Sequence, residues 1–147
     1  MVIFKIGDLL KAPEKILVHQ VNIDGIMGGG VARQIASQYP EAEKQYQDMC
    51  KRYGNDYEEL KGKVDITYQN GKYIASIFSQ KKNFDTDYEA MRIALNKVKE
   101  FAKDQNLNVA MPYKIGCGIA NGNWTIVLNI ITKVFVDYKV GLYRLEG

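Results

Sequence analysis

Two short glycine segments hold the chemistry that is legible first in this chain. Gly28-Gly29-Gly30 stands between an apolar stretch and a segment of helical character, and Gly116-Cys117-Gly118 follows a second apolar stretch. Lacking a Cβ, glycine lets backbone N–H groups come close to an anion, and a helix starting there aims the positive end of its dipole at the charge. Such a pattern suits a diphosphate. It lacks the Lys-Ser/Thr pair of a Walker A loop, and it is not a Gly-x-Gly-x-x-Gly with a ribose-binding acid about 20 residues on. Two readings stay open, a nucleotide diphosphate held by backbone amides and a plain flexible turn. Cys117 suggests a thiol nucleophile, but no histidine is near it in sequence, and a small residue packed between glycines is the simpler reading. His19 is the single histidine, and Cys50 and Cys117 have no Cys-x-x-Cys spacing, so no zinc ligand set exists.

The elements that must position these loops follow from periodicity and breakers. Residues 2–5 and 16–21 read as short apolar strands. Residues 31–36 look helical, Pro40 ends that helix and opens another, and Ala42, Tyr46, Met49 and Tyr53 then share one face. Residues 64–68 and 72–78 flank Asn70-Gly71, a hairpin signal because both residues tolerate positive φ. Thr86-Asp87-Tyr88-Glu89 is a capping-box pattern for a helix to about residue 104, with an apolar stripe of Tyr88, Met91, Leu95, Val98 and Phe101. A strand at 108–111, a nearly all-apolar helix over about 124–135 and a strand at 140–144 complete the chain. Strands alternating with helices, plus one hairpin, predict a mixed sheet with helices on both faces. Ligands of such sheets bind outside the carboxyl ends of the strands, where both glycine loops would lie.

Composition bounds the class. A length of 147 residues suits one domain over 1–147 that needs no disulfide or metal staple. The net charge of +3 is too small to argue for a nucleic-acid groove by itself. Asp8 falls where a signal peptide would need a continuous apolar core, and no apolar run approaches the ~20 residues of a membrane span. The expectation is a reduced, cytoplasmic, monomeric protein with no membrane association, no metal and no organic cofactor.

At this point the residues resemble a family. The run from His19 through Asn22, Asp24 and Met27 to Gly28-Gly29-Gly30-Val31-Ala32 resembles the ADP-ribose-contacting segment of macro domains. Pro112-Tyr113-Lys114-Ile115-Gly116-Cys117-Gly118 looks like their second phosphate loop, and Gly7-Asp8-Leu9 matches the start of the pattern. The resemblance covers essentially the whole chain. It implies an α/β protein, a three-layer α/β/α fold around a mixed, mostly parallel six-stranded sheet, that binds ADP-ribose or an ADP-ribosylated substrate. By position, Asp8 would accept from the adenine amino group, Leu9 would add a backbone contact, and Asn22 would contact the distal ribose. Met27, Gly28, Gly29, Gly30 and Val31 would form the first diphosphate loop. Ile115, Gly116, Cys117, Gly118 and Ile119 would form the second, and Tyr143 would sit beside the adenine.

The Gly-Ile-Met-Gly-Gly-Gly loop is similar to the branch of terminal ADP-ribose glycohydrolases, DNA-directed ADP-ribosyl glycohydrolase antitoxins and phage-borne relatives. That branch carries a lysine just after the strand ending near Phe78, which makes Lys81 the catalytic candidate. Its amine would attack the anomeric carbon, aided by burial beside Lys82; the bland alternative is a solvated turn. Ala120 stands where the branch's eukaryotic member has an acid, so Asp24 and His19 become the candidates for proton transfer. Three functions follow from the resemblance. They are an ADP-ribosyl hydrolase acting on protein or nucleic acid through Lys81, a phosphatase of ADP-ribose 1″-phosphate leaning on Asn22, His19 and Asp24, and a reader without chemistry. A non-nucleotide enzyme with a coincidental glycine pattern is the outside alternative.

Overall fold

The computed structural model describes residues 1–145. Its strands are β1 (Val2–Ile6), β2 (Ile16–Val21), β3 (Val64–Gln69), β4 (Lys72–Phe78), β5 (Val109–Pro112) and β6 (Val140–Arg144). Its helices are α1 (Gly30–Gln38), α2 (Pro40–Arg52), the short α3 (Tyr57–Leu60), α4 (Tyr88–Gln105) and α5 (Trp124–Val134). The sheet order is β1-β6-β5-β2-β4-β3, parallel throughout except for the β3–β4 hairpin. Asn70 and Gly71 turn that hairpin with φ of 52° and 78°, the doubly positive geometry the pair favours.

Alternation along the central strands builds two cores. Leu17, Val21, Ile74 and Phe78 face one side, where α1, α2 and α3 cover them. Ile16, Val18, Ala75 and Ile77 face the other, under α4 and α5. The result is a three-layer α/β/α molecule, which buries both faces as a mostly parallel sheet must. Tyr39 ends α1 and begins α2, with Pro40 at the first helical position, where its missing N–H costs nothing.

Two local expectations are revised. The capping box does not form: Asp87 caps α4 through its side chain, accepting from the Ala90 amide at 3.1 Å. Thr86 is then free for other work, and Glu89 pairs with Arg92 instead. The strand expected at 108–111 runs one residue later, and the short helix α3 had no periodic signal because it is a single turn.

Candidate functional site

The chain leaves β2 toward β4 on one side and leaves β5 toward β6 on the other, so these adjacent strands form the topological switch point. They pair only through Ile16–Leu17 with Val109–Ala110, after which their carboxyl ends are free to splay. A cleft of about 550 Å³ opens there, within the usual range for a small-ligand site.

One wall is the first glycine loop: Asn22, Ile26, Gly28, Gly29, Gly30, Val31 and Ala32 all line the cleft. Gly30 has φ +56°, and helix α1 begins there with no side-chain cap and no acid in its first turn. Its first amides have no partner within the helix and lie at the cleft, which makes them ready for an anion. Helix α2 braces this loop from behind. The Tyr46 hydroxyl, on a fully buried ring, bonds to Asn22 O at 2.7 Å and Asn22 Oδ1 at 2.6 Å and accepts from Gly25 N at 3.1 Å. Gln47 Nε2 donates to Gly25 O at 2.9 Å.

The opposite wall carries Ile115, Gly116, Gly118, Ile119 and Ala120. Gly116 has φ +76°, and a Cβ there would meet Thr86 Oγ1 and Met91 Cε at 2.9 Å. Its carbonyl accepts from Gly122 N at 2.8 Å and from Thr86 Oγ1 at 2.7 Å. Gln20, at the end of β2, donates through Nε2 to Thr86 Oγ1 (3.1 Å) and to Ser79 Oγ (2.9 Å) and Ser79 O (3.2 Å). Gln20 and Thr86 therefore tie the end of β2 to the loops after β4 and β5. Sequence reasoning missed both, and missed Gly122, because each acts on segments distant in the chain. The third side is the loop of residues 80–86, which contributes Gln80 and Phe84.

The remaining candidates fall around the cleft. Lys81 and Lys82 are both exposed, so the burial expected to favour the Lys81 amine is not found, and neither lines the cleft, although Lys81 lies between the lining residues Gln80 and Phe84 in the chain. Asn22 lines the cleft, but its Oδ1 also accepts from Asp24 N at 3.0 Å and its Nδ2 donates to Ile26 O at 2.9 Å, so its polar atoms organise the loop. Asp24 is exposed outside the lining. His19 is buried in the α2-side core, its Nε2 2.7 Å from Ser76 Oγ and its Nδ1 without a partner. Desolvation lowers its pKa to about 3, so the folded protein holds it neutral. Met27 is buried in the core beneath the first loop. Cys117 is half-buried, bonds through Sγ to Ile115 O at 3.5 Å, and burial pushes its thiol pKa up, which is unfavourable for a nucleophile.

Asp8 lies after β1 on the same sheet edge as the cleft, capping the Leu9–Lys11 turn by accepting from Leu10 N at 3.0 Å. Leu9 is buried. Tyr143 donates to the buried Glu14 carboxylate at 2.6 Å, outside the cleft lining. Among the described residues no cluster of His, Cys, Asp or Glu could hold a metal ion, and no helix is long and apolar enough to cross a membrane.

Comparison with known proteins agrees with this architecture. An ADP-ribose 1″-phosphate phosphatase of Saccharomyces cerevisiae is 30% identical over 95% of this chain and 76% of its own length. A DNA ADP-ribosyl glycohydrolase of Mycobacterium bovis is 30% identical over 92% of this chain, which spans only 39% of that protein. The solved macrodomain of Mycobacterium tuberculosis DarG superposes with a TM-score of 0.83 at 28% identity, covering 97% of both chains. The family model described as macro domain matches residues 18–131, and this chain belongs to that family.

Proposed function

We propose that this chain binds ADP-ribose in the β2/β5 cleft and releases it from a modified substrate as an ADP-ribosyl hydrolase. The observation that carries this reading is the order of loops along one sheet edge. Asp8 follows β1, the two glycine loops follow β5 and β2, and residues 80–86 follow β4. An ADP-ribose whose diphosphate lies between the glycine loops would extend its adenine toward Asp8 and its terminal ribose toward residues 80–86. The two relatives are named for hydrolytic activities, one on ADP-ribose 1″-phosphate and one on ADP-ribosyl DNA, which supports a hydrolase.

Lys81 is the nucleophile in this reading. Once it has given up a proton to water, its amine attacks the anomeric carbon of the terminal ribose, and the bond to the attached group breaks with its electron pair leaving on that group. Water then releases ADP-ribose and regenerates the amine. The phosphatase reading leans on His19, Asn22 and Asp24, and it is the weaker one here. His19 is buried in the core, and Asn22 is engaged within its loop. The proposal includes a cytoplasmic monomer, with size-exclusion chromatography as the check on the oligomeric state.

Calorimetry with ADP-ribose and AMP tests the binding. ADP-ribose should bind more tightly than AMP, and no binding of ADP-ribose at millimolar concentration would sink the reading. Lys81→Ala should abolish release of ADP-ribose from a modified protein or oligonucleotide while leaving ADP-ribose affinity within a few-fold. Normal turnover by that variant would exclude the lysine mechanism, and no turnover by the unaltered protein on either substrate would leave a reader.

A further inference from the structure

Phe84 is held in an unusual state for a bulky residue. Its φ is +72°, the left-handed region where a Cβ crowds the backbone, and the residue is 43% exposed. Neither hydrophobic core includes it. Among the described residues no aromatic ring packs on it, whereas Tyr113, on the other side of the same cleft, packs against both Phe4 and Trp124. Folding therefore returns little to Phe84 for its strain.

The loop nevertheless fixes it there. Lys81 N donates to Asp85 O and Phe84 N donates to Lys81 O, both at 2.8 Å, and Gln80 bridges to Thr86. Asn83 Oδ1 accepts from Asp85 N at 3.1 Å. Thr86 is bonded in turn to Gln20 and to Gly116 O, so the ring's position is coupled to the end of β2 and to the second glycine loop. A strained conformation that surrounding structure over-determines is a mark of a ligand contact.

Two other exposed apolar side chains line the cleft. Ile26 is 62% exposed, Ile119 is 83% exposed, and both line the same cleft. Ile119 reaches across the cleft, its Cδ1 3.5 Å from where a Cβ on Gly29 would stand.

We propose that Phe84, with Ile26 and Ile119, forms a stacking subsite for a planar aromatic group attached to the terminal ribose, and that Phe84 sets specificity for that group. The inference rests on the ADP-ribose reading, because that ligand's terminal ribose is what meets residues 80–86. An apolar ring suits the face of a nucleobase or a pyridine better than a carboxylate ester or a phosphate, which would lose hydrogen bonds to water there.

The test compares four ligands by calorimetry: ADP-ribose, NAD, an oligonucleotide carrying ADP-ribose on a base, and a peptide carrying it on glutamate. Protein with Lys81→Ala is used throughout, so that turnover does not intervene. Adding Phe84→Ala should weaken at least one of the two planar ligands about fivefold or more beyond any loss it causes for ADP-ribose and the peptide. The arm that responds identifies the source of the planar group. Phe84→Gly, which relieves the positive φ, should raise the melting temperature while losing the same affinity. A drop in melting temperature for Phe84→Gly would show that the ring packs for stability and would overturn the proposal. Equal losses for all four ligands, or none for either planar ligand, would also overturn it. ADP-ribose binding by the Lys81→Ala protein with Phe84 intact decides the ADP-ribose reading separately, whichever way the planar ligands behave.

Discussion

At Gly122 an added Cβ would lie 2.4 Å from Gly116 O, a backbone atom that cannot step aside like the end of a side chain. That oxygen is the acceptor shared by Gly122 N and Thr86 Oγ1, so a side chain at Gly122 breaks the second loop at its closure. Gly122→Ala should cost about 1–3 kcal/mol of stability by overpacking and should lower ADP-ribose affinity at least tenfold. Thermal melting and calorimetry check the two parts. Gly30→Ala is the useful contrast: its φ of +56° is unfavourable, but open space surrounds the position. That change should cost only about 1–2 kcal/mol of backbone strain. Gly28, Gly29, Gly30 and Gly116 could be singled out from sequence because they sit in runs after strands. Gly122 could not, since its reason is one carbonyl six residues back, brought close by the turn.

Among the elements, α2 is a brace for the first loop, although its sequence reads only as an amphipathic helix. Ala42, Tyr46 and Met49 are buried as its periodicity requires, and Tyr46 then carries a hydroxyl into the loop. Desolvation raises the Tyr46 pKa above its ordinary value, so the group stays protonated and remains a donor. Tyr46→Phe keeps the packing and removes the bonds to Asn22 and Gly25. It should cost about 1–3 kcal/mol for the polar groups left unsatisfied and should weaken ADP-ribose binding several-fold by loosening residues 22–26. Unchanged affinity, measured by calorimetry on a folded variant, would exclude a positioning role for this helix. The first turn of α4 teaches a similar lesson. Its sequence promises a capping box, but Asp87 serves as the cap and Thr86 is recruited to Gln20 and Gly116. Desolvation opposes the Asp87 charge, yet bonds from the Tyr57 hydroxyl and the Ala90 amide outweigh it and hold the carboxyl below its usual range. Local pattern could name the helix start but could not decide between two adjacent polar residues whose partners lie on other loops.

For the molecule as a whole, stability should depend on pH through His19. Its folded pKa of about 3 is depressed from 6.5, so below about 6.5 the unfolded chain takes up a proton that the folded protein refuses. Stability should fall as pH drops from about 6.5 toward 3, by up to about 1.4 kcal/mol per pH unit. In chemical denaturation across that window, His19→Gln should show a shallower slope than the unaltered protein, and an identical slope would reject the assignment. Other acid-sensitive groups contribute equally to both proteins and cancel in the comparison. The amino-acid sequence alone determined the six strands, the four longer helices, the two-sided cores and the glycine loops, because periodicity and turn residues act over a few neighbouring positions. It also carried the family pattern from Asp8 to Gly118. Only the tertiary structure decided that β2 lies between β5 and β4, since strand order is a choice among long-range pairings that no local signal encodes. That order opens the cleft, sets residues 80–86 at its far end, and joins Gln20, Thr86 and Gly116 into one network. It also places Phe84, strained and exposed, where a ligand and not the core can compensate it.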